Sequence, residues 1–191
     1  MYFVLLNYIF ISRCFTETFL TPDIQLTGDD LLTPAMSCLR ADRPPSRNAR
    51  GGVMICADER LHPFATESVM DGLEGVSMSL LWQGDSFNLV VLYNRPNAKI
   101  SSTTLALEKL VSSLYVQNPT IILGDMNMDL KKDTKVTDFL QRFGFKQLVK
   151  VPTTDYGSIL DHVYVNFDRF FHIDVTDCYY SDHDKVILCF H

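Results

Sequence analysis

The chain has 191 residues, of which 47% are apolar and 21% charged, and its formal net charge at pH 7 is −6. This length and composition are typical of a globular protein with a real core, and we expect one domain over residues 1–191. The acidic balance argues against a protein that coats nucleic acid. It does not exclude a nuclease, because acids that bind a divalent cation are neutralised locally.

The cysteines and the N-terminus indicate the compartment. Five cysteines are scattered without a Cys-X-X-Cys pair, at Cys14, Cys38, Cys56, Cys178 and Cys189. We therefore expect reduced thiols inside a cell, with neither a disulfide framework nor a structural zinc. The apolar start MYFVLLNYIFISRC is too short to span a bilayer and lacks the basic start of a signal peptide. We predict a buried strand there, no membrane association, and no obligate protein partner.

The apolar pattern predicts mainly strands with a few helices. In chain order we expect a strand over Phe3–Ile11, a mostly irregular stretch over residues 21–50, a strand over Val53–Cys56, paired strands Glu74–Trp82 and Ser86–Tyr93, a helix Thr103–Val116, a strand Thr120–Leu123, a helix Val136–Phe143, and strands Ile159–Val165 and Lys185–Phe190. Some strands alternate and others are apolar throughout. This favours an α/β (α+β) four-layer sandwich, in which two packed, mainly antiparallel sheets are flanked by helices.

An arginine-rich, Pro-containing loop, RADRPPSRNAR, carries Arg40, Arg43, Arg47 and Arg50. Two interpretations stay open at this stage. The loop is either a solvated segment without a defined structure, or a loop that contacts phosphate beside a site.

The run IILGDMNMDL, Ile121–Leu130, is the most informative segment. A buried strand ends at Gly124, and Asp125 and Asn127 follow two residues apart. If the extended geometry persists, both side chains point the same way and could hold a water molecule, a metal or a phosphate. Gly-Asp-X-Asn is also ordinary turn chemistry, which is the competing interpretation.

Two further segments place Asp next to His at strand ends. They are SILDHVYVN, Ser158–Asn166, and YSDHDKV, Tyr180–Val186. Three acidic clusters at strand ends suit hydrolysis of a phosphodiester, which needs an activated water and stabilised charge on the phosphate oxygens. Carboxylates that hold Mg²⁺ supply part of this, and a His beside an Asp can orient or accept a proton.

Read in order, six segments resemble one family: TETFL, RGGVMI, VVLYNRP, ILGDMNMDL, SILDHVYVN and YSDHDKV. Together they resemble the endonuclease/exonuclease/phosphatase superfamily. Within it, they look most like the endonuclease domains of non-LTR retrotransposons and the related domains of some Helitron elements. The similarity runs from about residue 14 to the C-terminus.

The resemblance implies a role for each matching residue. Glu17 and Asp182 would hold Mg²⁺, with Mn²⁺ as the other possible metal. Tyr93 would contact the scissile phosphate, and His183, paired with Asp161, would stabilise its developing charge. Asp125 would align or activate the water, and Asn127 would hold the water or the phosphate. The other histidines (His62, His162, His172, His191) are expected to be surface or core residues, and Asp129, Asp155, Asp177 and Asp184 to be solvated acids.

The chain departs from the family pattern at its start. Members of the family begin with a strand that ends in an active-site Asn, followed by a helix and the strand before the Glu. Only sixteen residues precede Glu17, so Asn7 is too close to be that Asn. We expect the first strand and helix to be missing, which would leave two unpaired strand edges unless Tyr2–Ile11 replaces the strand.

The resemblance therefore implies a Mg²⁺-dependent DNA endonuclease of mobile-element origin, which nicks one strand and leaves a 3′ hydroxyl. Such a protein would be intracellular, and nuclear if it acts on DNA. Two alternatives remain: a catalytically inactive remnant of a transposon, or a protein with the same fold that acts on a phosphomonoester or phosphoinositide.

Overall fold

The computed structural model describes residues 2–7, 10–25, 35–42, 51–67, 73–82, 84–114 and 118–190, with the backbone alone for 2–7, 10, 11 and 65–67. Its strands are β1 Tyr2–Asn7, β2 Phe10–Thr16, β3 Met36–Ala41, β4 Val53–Asp58, β5 Phe64–Glu67, β6 Glu74–Trp82, β7 Asp85–Tyr93, β8 Thr120–Asp125, β9 Lys146–Gln147, β10 Asp161–Val165, β11 Phe171–Thr176 and β12 Lys185–Phe190. The helices are α1, Ile100–Ser113, and α2, Lys135–Gln141, with a 3₁₀ turn over Glu59–Leu61.

The strands form two six-stranded sheets. The first has the order β11-β12-β1-β2-β4-β3, and the second has the order β5-β6-β7-β8-β10-β9. Most neighbours are antiparallel, and the parallel pairs are β1 with β12 and β7 with β8. This confirms the predicted fold of two packed, mainly antiparallel sheets.

Alternation along the central strands of the second sheet decides what each face contacts. In β7, Leu89, Val91 and Tyr93 belong to the core between the two sheets, whereas Val90 and Leu92 pack with the helices. Because side chains alternate across a strand, each strand contributes to two apolar layers. Leu89–Leu92 of β7 and Ile121–Leu123 of β8 are therefore apolar at every position.

Both helices cover the outer face of the second sheet. The side chains of Leu107, Leu110 and Leu140 pack with Ile122 and Tyr164 in one buried cluster. Within the described ranges, no helix covers the outer face of the first sheet. Neither α1 nor α2 has the length and apolarity needed to cross a membrane.

Several element boundaries differ from the sequence predictions. The predicted single strand Phe3–Ile11 is instead a hairpin of β1 and β2, with Asn7 paired to Phe10. The predicted irregular stretch 21–50 contains β3, because Met36–Ala41 pairs along its whole length with β4. The short strands β5 and β9 and the edge strand β11 were not predicted, since such strands depend on their partners more than on their own apolar pattern.

The two unpaired strand edges do not occur, because part of the Tyr2–Ile11 segment replaces the missing strand, as the stated alternative allowed. β1 lies in the interior of the first sheet, where Phe3 pairs with Val186 of β12 and with Cys14 of β2. β1 thus fills a place between two strands that would otherwise be edges. It runs away from Glu17, however, because Tyr2 pairs with Phe15 while Asn7 lies at the opposite end of the hairpin. The position of Asn7 agrees with the prediction that it is not an active-site residue.

One pair of cysteines contradicts the prediction that all thiols are reduced. Cys38 of β3 and Cys56 of β4 form a disulfide, with Cα atoms 4.2 Å apart. The two residues are register partners on antiparallel strands, so the pairing of β3 with β4 brings them together. Spacing along the sequence could not reveal this, because β3 itself was not predicted. Cys14, Cys178 and Cys189 are free.

Candidate active site

Three neighbouring strands of the second sheet place polar side chains side by side at the same end of the sheet. Tyr93 at the end of β7 is the register partner of Asp125 at the end of β8, and Asp125 is the partner of Asp161 at the start of β10. Register partners on adjacent strands project from the same face. Asp125 continues the alternation of Ile121 and Leu123, which face the other sheet. The three side chains therefore meet at one mouth of the cleft between the sheets.

Gly124 is required where β8 approaches β7. Its φ is 151°, and a Cβ at this position would lie 1.8 Å from the carbonyl oxygen of Leu92. Any larger residue would push the strands apart and would displace Asp125, the next residue. The glycine of the Gly-Asp-X-Asn segment thus has a steric role in placing the carboxylate.

The geometry at Asn127 agrees with the turn interpretation of that segment. The extended geometry does not persist to Asn127, whose φ is 48°. Its backbone N–H donates to Asp125 Oδ1 at 2.9 Å, as in an Asx turn, and its Nδ2 donates to Asp125 Oδ2 at 3.1 Å. The turn therefore places the Asn127 amide against the Asp125 carboxylate. Its predicted role in holding a water or a phosphate stays a prediction.

Asn94 supports this turn from β7, and the sequence analysis missed it. It is 1% exposed, and its Nδ2 donates to the Met126 carbonyl at 2.9 Å. Its backbone N–H donates to the carbonyl of Asp125, and its own carbonyl accepts from Asn127 Nδ2 at 2.8 Å. A buried amide with this many partners fixes the position of the 125–127 backbone. The signal was present in the segment Tyr93-Asn94-Arg95-Pro96, where Asn directly follows the site tyrosine.

Asp161 and His183 form a pair, as predicted. Asp161 is fully buried, and its Oδ2 lies 2.9 Å from His183 Nδ1. The backbone N–H of Asp161 donates to Thr153 Oγ1 at 3.2 Å, and Thr154 forms an isolated β-bridge with His183. The 153–154 segment, which the sequence analysis did not identify, therefore positions both members of the pair. Asp161 Oδ1 is also buried, and none of the described residues donates a hydrogen bond to it.

Glu17 connects the first sheet to this cluster. It directly follows β2, has a φ of 52°, and accepts a hydrogen bond from the Tyr93 hydroxyl at 2.7 Å on Oε1. Tyr93 is 2% exposed, so it is a core aromatic residue whose hydroxyl reaches Glu17. Its predicted contact with a phosphate stays a prediction.

Asp182 lies at the edge of the cluster rather than inside it. It is exposed, and its negative charge acts on His183, the next residue. The described residues contain a group of potential metal ligands in Asp125, Asp161 and His183, whose ligand atoms all lie within 4.8 Å of one another. This set differs from the predicted metal pair, Glu17 and Asp182, although all five residues lie at the same mouth.

Burial and like charges dominate the electrostatics of this mouth. Burial, followed by the charge of Asp161, raises the pKa of Asp125 to about 7, against the opposing effect of His183. Burial alone would lower the pKa of His183. The hydrogen bond and the charge of Asp161, together with the negative charges of Asp125 and Asp182, instead raise this pKa to about 9. The site therefore concentrates negative charge that a cation would compensate.

A divalent cation fits this donor set. Two carboxylates with a buried, unpartnered oxygen on Asp161 offer the hard oxygen ligands that Mg²⁺ and Mn²⁺ prefer. An unpaired buried carboxylate oxygen is costly, and a metal would remove that cost. Glu17 is the further carboxylate whose charge acts on Asp125.

The remaining residues singled out in the sequence have structural or surface positions. His162 faces the helix side, buried, with Nδ1 2.8 Å from Tyr164 Oη, while His62 and His172 are exposed. Asp129 is not solvated as predicted, because its carboxylate accepts from the N–H groups of Lys131 and Ile159. In the arginine-rich loop, Arg40 forms an ion pair with Asp42 at 3.0 Å. The other arginines of that loop and one histidine lie outside the described residues: Arg43, Arg47, Arg50 and His191.

Comparisons with solved structures identify the architecture. The structure is similar to the catalytic domain of human Nocturnin with a bound sulfate anion, at 14% identity and a TM-score of 0.67, covering 93% of this chain and 80% of that one. It is also similar to the endonuclease domain of TRAS1, a telomere-specific non-LTR retrotransposon, at 19% identity and a TM-score of 0.64, covering 77% and 75%.

An endonuclease/exonuclease/phosphatase family protein from Leptotrichia buccalis matches at 12% identity and a TM-score of 0.66, covering 85% of this chain and 75% of that one. This chain has the endonuclease/exonuclease/phosphatase fold. The fold implied by the sequence resemblance is thereby confirmed. The sequence matches no protein-family profile and no curated protein. Because one fold hosts many functions, the function depends on the site.

Proposed function

We propose that this protein is a metal-dependent phosphodiester hydrolase. The observation that carries the proposal is the convergence of ligand atoms of Asp125, Asp161 and His183 within 4.8 Å of one another. One Asp161 oxygen there is buried and accepts no hydrogen bond from the described residues. These residues come from three separate segments, and strand register places two of them side by side. Independent turns would not produce such a cluster at one mouth of a cleft.

The residues divide the chemistry between them. Asp125 and Asp161, with Glu17, would hold the cation, which when bound supplies Lewis-acid stabilisation of charge on the phosphate oxygens. Asp125 orients the attacking water, and Asn127, fixed against Asp125 at 3.1 Å, restricts where that water sits. His183, held cationic by Asp161, donates a hydrogen bond to the phosphate as its negative charge develops.

The finer proposal concerns the substrate. The order of the six sequence segments and the similarity of fold to a retrotransposon endonuclease domain support a DNA endonuclease of mobile-element origin that nicks one strand. Such an activity would place the protein with DNA, in the nucleus of a cell that has one. The direction of β1 favours the competing idea of an inactive remnant, because Asn7 lies at the far end of the hairpin and cannot complete the site.

Nicking of supercoiled plasmid tests the proposal. With Mg²⁺ or Mn²⁺ we expect conversion to the open-circular form, and with EDTA none. Asp125→Asn should reduce the rate by about 10²-fold or more, since it removes a charged ligand and the orienting carboxylate. Asp174→Asn, an exposed carboxylate on β11, is the matched control and should retain the full rate.

Three outcomes would count against the proposal in different ways. Equal nicking by wild type and Asp125→Asn would indicate a contaminating nuclease and refute the assignment of the site. A folded wild-type protein that cleaves nothing with either metal would support the inactive remnant. Release of inorganic phosphate from phosphomonoesters or phosphoinositides, without plasmid cleavage, would move the substrate to the third alternative.

A further inference from the structure

Three tyrosines lie exposed beside the candidate active site. Tyr156 is 83% exposed, Tyr179 is 98% exposed and Tyr180 is 67% exposed. We refer to these residues as the tyrosine rim. Exposed large aromatic side chains that cluster near a cleft are more often part of a binding surface than of the core.

Backbone contacts fix the tyrosine rim next to His183. Tyr179 and Tyr180 directly precede the Ser181–His183 segment, and their rings are 5.0 Å apart in an edge-to-face arrangement. Tyr156 belongs to the neighbouring turn, in which the Asp155 N–H donates to the Asp182 carbonyl at 3.1 Å. Because the same turn forms the bridge from Thr154 to His183, both loops are tied to the residue proposed to contact the phosphate.

The charge around the tyrosine rim is unfavourable for binding a phosphate backbone. The two loops carry Asp155, Asp177, Asp182 and Asp184, and the charges of Asp177 and Asp155 act on Asp184. Lys131 lies close to Tyr156, since its Nζ donates to the Gly157 carbonyl at 2.5 Å, but it does not balance these acids. A duplex presents mainly phosphates to a protein surface, and a protein gains affinity for it through Lys and Arg contacts. The two loops, residues 153–158 and 177–184, contain the four acids and neither Lys nor Arg.

Unpaired nucleotides present a different surface. Their bases are accessible, and each base has a flat face that stacks on an aromatic ring whatever its identity. Stacking tolerates nearby acids better than a phosphate contact does, because it depends on apolar contact area. Tyrosine rings beside a phosphodiester site therefore suit bases that flank the scissile phosphate.

We propose that the tyrosine rim stacks on unpaired nucleobases, so that the substrate class is single-stranded or locally unpaired nucleic acid rather than regular duplex. This inference rests on the proposed phosphodiester hydrolase function. It assigns binding affinity to the rim and leaves the reaction itself to the cluster around Asp161.

Fluorescence anisotropy of the full chain in EDTA tests the inference. The probes are a labelled 12-nucleotide single strand and a hairpin whose duplex stem contains the same sequence. A second series uses the Asp125→Asn protein with Mg²⁺, in which cleavage is slow. We expect tighter binding of the single strand, with a salt dependence shallower than that of a protein that contacts many phosphates. Tyr156→Ala and Tyr179→Ala should each weaken binding by roughly fivefold or more.

Two sets of variants separate stacking from other effects. Tyr156→Phe and Tyr179→Phe keep the ring and should retain binding within about twofold, whereas a role for the hydroxyl would make them as weak as the alanine variants. Phe170→Ala removes a side chain that is 70% exposed after β10, at the opposite end of the sandwich, and should change nothing. All of these side chains are exposed, so the variants should fold.

Equal binding of single strand and duplex would overturn the inference, as would alanine variants that match the wild type. Loss of binding in the phenylalanine variants would replace stacking with hydrogen bonding and would also overturn it. Failure of the two proposals is distinguishable. Tyrosine-dependent binding without cleavage would support the proposed role of the tyrosine rim and refute the hydrolase function. Cleavage combined with binding that does not depend on the tyrosines would refute the role of the rim alone.

Discussion

The two ends of the sandwich are built on opposite principles. At the end away from the site, Phe190 of β12 lies edge-to-face with Trp82 at 5.8 Å and with Phe87 at 6.1 Å, and it also contacts Phe167 and Phe171. These aromatic contacts join β12 of the first sheet to the β6–β7 hairpin of the second. An open cavity of about 390 Å³ lies beside them, lined in part by Arg169 and Asn118.

At the site end, the same two sheets meet through charged groups. Asp125 and Asp161 lie on neighbouring strands, and both are buried. Hydrogen bonds across the sheets join Tyr93 to Glu17, and Asp161 to His183 just before β12. Buried like charges destabilise a folded protein. The comparison indicates that apolar packing at one end stabilises a cleft that is electrostatically unfavourable at the other.

The largest expected effect tests the stabilising end. Phe190→Ala should lower the free energy of unfolding by about 3–5 kcal/mol, because it removes a buried aromatic side chain that is 4% exposed and leaves a cavity between the sheets. Turnover per folded molecule should not change, since β12 begins, rather than ends, near His183. Urea denaturation, combined with nicking assays below the transition, measures both quantities.

Phe190→Leu is the matched control and should cost clearly less than the alanine variant, because it retains much of the volume. A Phe190→Ala protein with unchanged stability would contradict the view that this end joins the sheets. A protein that stays folded but loses turnover would mean that the two ends are coupled.

The next effect comes from His162, on the helix side of β10. Burial lowers its pKa to about 4, against backbone hydrogen bonds that act in the opposite direction. Since the unfolded chain binds this proton near pH 6.5, stability is present above that pH and is lost as pH falls towards 4. The loss should reach roughly 3 kcal/mol.

His162→Gln keeps a hydrogen-bonding side chain but does not titrate. Its stability should therefore fall less steeply than that of the wild type between pH 6.5 and pH 4, as measured by urea denaturation at several pH values. The difference between the two proteins isolates this residue from the carboxylates that titrate in the same window. Parallel stability curves would show that His162 is not buried in its neutral form.

The sequence predicted the central strands well and the edges poorly, for a physical reason. The strands β7 and β8 are buried on both faces over most of their length, so their apolar runs identified them directly. In β6 the alternation of Val76, Met78 and Leu80 with less apolar residues is the local signal. The strand β3 contains Ser37 and Arg40 and owes its conformation to pairing with β4, which no local pattern encodes. The direction of β1 was equally inaccessible, because the same apolar run could pair in either sense.

The site followed a similar division. Residues in recognisable segments, such as Asp125, Asp161 and His183, were predicted and do lie together. Asn94 and Thr153 were missed, because their role is to hold the backbone of those residues and depends on contacts between distant segments. The tyrosine rim was also missed, since exposure is a property of the folded surface and not of the residue type.

The smallest expected effect is a gain in stability from damaging the site. Burial, then the charge of Asp161, raises the pKa of Asp125 to about 7. Because the unfolded chain releases this proton near pH 3.9, the folded state loses stability as pH rises from about 4 to about 7. In EDTA at pH 8, Asp125→Asn should therefore be more stable than the wild type by about 1–2 kcal/mol, after the loss of one Asn127 contact.

This gain should shrink as pH falls from 7 and be nearly gone near pH 4, where Asp125 is protonated in the folded wild type and about half protonated in the unfolded chain. Saturating Mg²⁺ should reverse the order at pH 8, because a cation that binds the folded wild type stabilises it and the variant lacks one ligand. Thermal melting with and without Mg²⁺ measures both differences. If Asp125→Asn were less stable than the wild type in EDTA, the carboxylate would have a structural role, and the contrast between the two ends of the molecule would not hold.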